Sequence, residues 1–283
     1  MLPTPDTSHV PYQRVYEPAE DSFLLLDTLS SPSETAFLTS RFGNNINTTI
    51  STSSQPPPPP PPLILEVGPG SGVVIAFLTA HAQTILGTPH VLACGVDVNR
   101  FACAATAKTA ARAIAEAKDD ASSSSSSSSP GAGFFLDAVQ GDLVAPVRAG
   151  MIDVLVFNPP YVPTAELPAQ PQPESEAEQQ QQQQRGTVVR GGRDGMETTD
   201  RLIAALPTAL SERGCAYVLL CAQNKPEEVK EQIRAMGGGG GGGGGRWKAE
   251  TVGTSGKQAG WEKLQIVRIW RDYDGVAADT TGS

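Results

Sequence analysis

Apolar runs short enough for buried strands recur five times in this chain, mostly with a helix-length stretch between them. The runs are Leu63–Val67, Val91–Val98, Phe134–Val139, Ile152–Phe157 and Ala216–Ala222. The stretches that read as helices are Gly72–Ala82, Arg100 to about Lys118, Thr198–Leu210 and Lys225–Met236, the last opened by Pro226 near its first turn. Such alternation implies a parallel sheet with helices on both faces. Two further runs, Trp247–Val252 and Lys263–Trp270, read as strands joined by a turn. They complete an α/β architecture: a seven-stranded, mostly parallel sheet ending in an antiparallel pair. Ahead of the first strand, residues 16–29 read as a helix with apolar positions Phe23, Leu24, Leu26 and Leu29, and Asp21 or Ser22 as its cap. Residues 31–62 read as a linker.

Four homopolymer tracts interrupt the pattern: Pro56–Pro62, Ser122–Ser129, Gln179–Gln184 and Gly237–Gly245. Each falls between segments that read as regular structure, so each marks a loop, where added length costs little entropy. What remains is roughly 190–220 residues, enough for one core. The expected organisation is one domain over 15–272, with low-complexity loops at about 40–62, 119–133, 165–186 and 237–245. Flexible ends are expected over 1–14 and 273–283.

Several classes are disfavoured. No apolar run approaches the roughly 18 residues of a membrane span, and Met1–Tyr12 is polar with three prolines, unlike a signal peptide. Cys94, Cys103, Cys215 and Cys221 form no C-x-x-C pair and only three histidines are present, so no metal site is expected within the chain. Reduced cysteines suit an intracellular protein. A net charge of −9, with no basic cluster, argues against direct binding to nucleic acid.

In parallel sheets ligands bind at the carboxyl ends of strands. After the first strand comes Glu66-Val67-Gly68-Pro69-Gly70-Ser71-Gly72, whose alternate glycines permit a sharp turn and close approach of a ligand. No Gly-Lys-Ser/Thr follows, so it is not a P-loop. After the second comes Asp97, suited to ribose hydroxyls or to a helix cap, a task for which Asn99 is better placed. After the third comes Asp142 beside Gly141, a carboxylate for an adenine edge or a turn residue. After the fourth comes Asn158-Pro159-Pro160-Tyr161. Its prolines fix the backbone and remove two donors, leaving carbonyls, the Asn amide and an aromatic face. Those groups suit a substrate with a planar NH2 group.

Together these features resemble the class I S-adenosylmethionine-dependent methyltransferases, a Rossmann-like fold, and among them the enzymes that methylate exocyclic or amide nitrogen. Three stretches narrow the likeness. They are Val15-Tyr16-Glu17-Pro18-Ala19-Glu20-Asp21-Ser22-Phe23-Leu24-Leu25-Leu26, the segment Leu155–Thr164 around Asn-Pro-Pro-Tyr, and Gly191-Gly192-Arg193-Asp194-Gly195. They are similar to the eukaryotic HemK-like family, whose catalytic subunit methylates the glutamine of the Gly-Gly-Gln motif in the eukaryotic class 1 release factor. The resemblance implies that Glu66, Gly68 and Gly70 line the S-adenosylmethionine site and that Asp97 holds the ribose. It places Asp142 and Leu143 beside the adenine. Tyr16, Glu20 and Ser22 would cover the methionine end, with Ser22 standing where Thr is more usual. Asn158 would border the cofactor and hold the substrate amide, with Pro159, Pro160 and Tyr161 around it; Asn158, Pro159 and Tyr161 form the implied catalytic group.

The resemblance also implies a partner, a small zinc-binding activator subunit. Strand three is an edge in the usual order of this fold, and Phe134-Phe135-Leu136 would leave it apolar, so docking is expected there. The alternative is that these side chains pack on flanking helices. A cytoplasmic location, with the nucleus as a second one, accompanies this reading. Competing functions are adenine-N6 methylation of DNA or RNA, which the net charge disfavours, methylation of a protein lysine, and a scaffold without activity.

Overall fold

Every apolar run read as a strand is one. The computed structural model describes residues 2–43, 59–123, 131–159, 196–236, 245–256 and 263–273. Its strands are β1 (Leu63–Val67), β2 (Leu92–Asp97), β3 (Phe134–Gln140), β4 (Ile152–Phe157), β5 (Leu210–Cys221), β6 (Arg246–Thr254) and β7 (Leu264–Asp272). They lie in the order β3-β2-β1-β4-β5-β7-β6. The first five run parallel; β7 is antiparallel to both β5 and β6.

Side chains on a strand alternate between faces, and the two cores follow that period. Ile64, Val154, Val156, Cys215, Tyr217, Leu219 and Cys221 face one core, and Leu65, Val67, Leu155, Phe157, Ala216, Val218 and Leu220 the other. Cys215 and Cys221 thus share a face as small buried residues, as their spacing suggests. The first core is closed by α1 (Glu20–Leu29), α2 (Pro32–Phe42), α3 (Val73–Ala80) and α4 (Ala82–Leu86). The second is closed by α6 (Glu197–Ala209) and α7 (Pro226–Ala235). Between β2 and β3 runs α5 (Arg100–Ser123), which presses Ala110 and Ala113 against Ala76 and Ala80 of α3. No described helix is long and apolar enough to cross a membrane.

Four local expectations need correction. The buried stripe of α1 is Leu25, Leu26 and Leu29, while Phe23 is exposed; three consecutive leucines left the phase open, and the sheet settled it. Neither Asp21 nor Ser22 caps α1: the cap position is Ala19, without a side-chain bond. Residues 31–62 are not all linker, because Pro32–Phe42 is helical. Ser31 caps it by accepting from the Glu34 N–H, and Pro32 occupies the first turn. Glu34 then accepts from Arg268 Nη1 with both oxygens at 2.9 Å and from the Tyr217 hydroxyl at 2.8 Å, which fastens α2 to β5 and β7.

The segment before residue 15, expected to be flexible, lies along α5. Val10 and Val15 are buried against Ala102 and Ala105, and Asp6 pairs with Arg112 at 2.9 Å. Its apolar residues are too few to signal burial in the sequence, yet they meet alanines small enough to admit them.

Candidate active site

The strand order brings the residues singled out at the strand ends into one row. Val67 pairs with Val96 on β2 and with Phe157 on β4. Gly68 and Asn158 therefore leave adjacent strands side by side, with Asp97 at the end of β2 on the other flank. Asp97 in turn is registered with Gln140 of β3, two residues before Asp142. Across the carboxyl edge the sequence of groups is Asp142, Asp97, the glycine turn and Asn158.

The turn after β1 has positive φ at Gly68 (64°), Gly70 (54°) and Gly72 (79°), a region that side chains disfavour. At Gly72 a Cβ would also strike the Thr106 backbone of α5. At Gly68 it would meet nothing within 4 Å, and at Gly70 only the Tyr16 Cβ at 3.9 Å, so the outer face of the turn is open. The inner face is gripped by α5: Thr106 Oγ1 donates to the Gly70 carbonyl at 3.3 Å and Thr109 Oγ1 to that of Ser71 at 2.6 Å. Gly68 N–H donates to the Val96 carbonyl at 2.8 Å, locking the turn to β2.

Glu66 points into the protein rather than out of it. It is 2% exposed, and its Oε2 accepts from the Ile75 N–H in the first turn of α3 at 2.8 Å. Burial pushes its carboxyl up to about 8, against the pull of that bond, and the Asp97 charge adds to the rise. Glu66 therefore ties β1 to α3 and shapes the turn from beneath.

Asp97 is held at both oxygens. Oδ1 accepts from the Asn99 N–H at 2.8 Å and Oδ2 from the Gly70 N–H at 3.3 Å. Burial raises its pKa, and the bonds from Asn99, Gly70 and Val98 oppose the rise. The helix cap is Asn99, whose Oδ1 accepts from the Phe101 N–H at 2.9 Å, so Asp97 remains available to a ligand's hydroxyls.

Asp142 forms an ion pair with Arg201 of α6, both half-exposed, a partner nothing in the sequence pattern announces. Leu143 beside it adopts φ 50°, one of two non-glycine residues with positive φ among the described residues. Strain of this kind persists where surrounding structure over-determines it. Here Leu143, Val144 and Val147 pack on the second core.

On the far side of the row, Pro159 is buried and Asn158 half-buried. Among the described residues the Oδ1 of Asn158 is itself buried without a hydrogen-bond partner. Such an acceptor costs on the order of 1–3 kcal/mol unless something donates to it. Pro160, Tyr161 and the Gly191–Gly195 motif lie outside the described residues.

Near the other end of the turn, Tyr16 is exposed over Gly70 and its hydroxyl donates to Asp21 Oδ2 at 3.3 Å. Ser22 is buried and bonds to Asp21 Oδ1, and Glu20 is exposed at the start of α1. Tyr16 is thus brought to the turn, while Ser22 faces Asp21. No group of three or more metal-ligating side chains occurs among the described residues.

The strand order, the open glycine turn, the acid after β2 and the Asn-Pro after β4 define a class I methyltransferase. No family model matches the chain. Individual relatives do. It is 30% identical over 277 residues to the "eRF1 methyltransferase catalytic subunit mtq2" of Schizosaccharomyces pombe, covering 96% of each chain. It is 32% identical over 275 residues to "Methyltransferase HEMK2" of Mus musculus, covering 95% of this chain and 96% of that one. A stretch of 99 residues, 35% of this chain and 32% of the other, is 33% identical to the "Release factor glutamine methyltransferase" of Moorella thermoacetica. The chain belongs to the HEMK2 methyltransferase family.

Proposed function

We propose that the chain uses S-adenosylmethionine to methylate the side-chain nitrogen of the glutamine in the Gly-Gly-Gln motif of the eukaryotic class 1 release factor. The observation that carries this reading is the buried, unpartnered Oδ1 of Asn158, one strand away from an open glycine turn. An acceptor in that position answers an N–H donor, and an amide NH2 offers two. Relatives named for eRF1 and for release factor glutamine support the same substrate.

The cofactor site fits the residues present. The open faces of Gly68 and Gly70 would admit the ligand, Asp97 would accept from its ribose hydroxyls, and Asp142 with Leu143 would border its adenine. When bound, the cofactor would supply an electrophilic methyl on a sulfonium; its carbon would pass from sulfur to the amide nitrogen with S-adenosylhomocysteine as leaving group, and the nitrogen's proton would go to water.

An amide nitrogen is a weak nucleophile because its lone pair is delocalised, so the protein's contribution is alignment. Asn158 Oδ1 and the Pro159 carbonyl accept from the substrate NH2. They orient its lone pair and favour the positive charge that grows on nitrogen. Pro159 cannot donate, so it presents no competing N–H.

The chain acts as the catalytic half of a heterodimer with a small zinc-binding activator. What supports this is β3: it is an edge strand, with Phe134 64% and Leu136 50% exposed, while Phe135 packs inward. The release factor is met in the cytoplasm, where translation terminates.

The test is labelled methyl transfer by the chain co-expressed with the activator. The acceptors are the release factor, its Gly-Gly-Gln→Gly-Gly-Ala variant, and DNA. Label on the wild-type factor alone is expected; label on DNA would overturn the substrate. Asn158→Ala should retain cofactor binding and lose about 100-fold or more in turnover, the scale of removing one preorganised electrostatic contact. Unchanged turnover would remove Asn158 from the mechanism.

A further inference from the structure

We propose that Asn99 is a positioning residue for the cofactor: it ties the segment 2–16 across the glycine turn and so sets how long the cofactor stays bound. This rests on the cofactor reading above. One asparagine makes three connections. Its N–H donates to Asp97 Oδ1 at 2.8 Å, its Oδ1 accepts from the Phe101 N–H at 2.9 Å, and its Nδ2 donates to the Arg14 carbonyl at 2.7 Å. The first two build the ribose-side acid and the start of α5. The third reaches a residue far away in sequence and serves neither purpose.

That third bond falls at a decisive place. Two residues beyond Arg14, Tyr16 lies over Gly70, whose N–H donates to the other oxygen of Asp97. Asp97 thus joins Asn99 to Gly70, Asn99 joins Arg14, and Arg14 stands two residues before Tyr16, whose Cβ would be 3.9 Å from a Cβ on Gly70. The Arg14 guanidinium also stacks 4.4 Å from the Phe101 ring centroid, on the residue that Asn99 caps.

The rest of the segment has separate anchors. Val10 and Val15 are buried on Ala102 and Ala105, His9 Nε2 lies 3.4 Å from Thr109 Oγ1, and Asp6 pairs with Arg112. Thr109 also bonds the Ser71 carbonyl, so even the distant anchor ends on the glycine turn. A segment held along α5 and tied at Arg14 would border a ligand on the open face of the turn. Release of Arg14 frees the segment without removing the ribose acid.

Asn99→Ser separates these tasks. Serine is an equally good cap, so α5 keeps its start, but its side chain carries no amide donor for Arg14. In the full chain, amide hydrogen exchange over residues 10–16 should accelerate, while the thermal midpoint stays near that of the parent. Dissociation of S-adenosylhomocysteine should quicken about tenfold, the scale of one hydrogen bond. Asp6→Asn, an exposed change far from the turn, should act in the same direction and more weakly. Faster exchange without faster dissociation would overturn the proposal, and so would unchanged exchange. If the parent chain does not bind S-adenosylhomocysteine, the cofactor reading falls and this inference with it. If the parent binds and Asn99→Ser releases it at the parental rate, this inference alone falls.

Discussion

The two edges of the sheet are built on opposite principles. At one end β6 carries Arg246, Lys248 and Glu250, with Trp247 and Ala249 turned into the core under α7. Glu250 meets Arg268 at 3.1 Å and Lys248 meets Asp272 at 3.9 Å, both across to β7. A shift in register at Thr251/Gly253 bends the strand. Charge and bending are the usual means of keeping an edge from pairing with a stranger. At the other end β3 presents Phe134, Leu136 and Val139, all about half exposed or more, with Asp137 as its one charge. Leu136 is the extra residue where the register with β2 shifts, and it points outward. One edge is thus blunted and the other left apolar, which is the difference the proposed docking on β3 depends on.

The comparison breaks most easily at β3. If the proposed activator docks on β3, Phe134→Lys combined with Leu136→Lys should weaken its binding about 30-fold or more, the loss of an apolar hot spot, and make the lone chain more soluble. Lys248→Leu on β6 is the matched control and should leave the complex intact. A complex that survives the β3 pair would show that the bare edge is not the docking site.

A smaller effect tests how β6 is buttressed. A Cβ at Gly253 would collide with the Thr28 side chain of α1. Gly253→Ala should therefore cost about 1–3 kcal/mol by overpacking, read from denaturant melts. Thr28→Ala in the same chain should recover part of it. Phe134→Ala on the open edge should change stability by less than about 0.5 kcal/mol. Equal costs at the two edges would erase the distinction.

The smallest change is Glu250→Gln. Arg268 keeps its buried partner Glu34, so losing the exposed partner should cost under about 1 kcal/mol. What should change is association: with one charge fewer, β6 should self-associate more readily at high concentration, seen by light scattering. An unchanged scattering curve would assign edge protection to the bend instead.

Much of the fold is legible in the sequence, and the candidate site residues sit at the ends of its apolar runs. Gly68, Asp142 and Asn158 each follow a strand whose hydrophobicity announces it, Asp97 closes one, and a parallel sheet gathers strand ends without further instruction. What escaped depended on contacts distant in sequence. The helix at Pro32–Phe42 was hidden by its Ser/Thr-rich surroundings, although Ser31-Pro32-Ser33-Glu34 is a helix start in miniature. Asn99 was readable as a cap, but its bond to Arg14 is a tertiary fact. Arg201 gave no sign that it would meet Asp142. The left-handed Leu143 sits beside Gly141, the residue to which a turn would naturally be credited. The resemblance sets Glu66 at the cofactor site, but its bond from the Ile75 N–H turns it inward, a direction no sequence position reveals.

The pairing of β1 with β4 also separates the site's geometry from the chain's length. Gly68 and Asn158 are neighbours because Ile64–Val67 is registered on Val154–Phe157, across one inter-strand spacing of about 4.8 Å. The serine tract lies between them along the chain, and the other three tracts lie outside that interval. A tract in a loop between strands can differ in length without changing the spacing across the sheet. Length in that loop can vary at little entropic cost while the register that sets Gly68 beside Asn158 stays fixed.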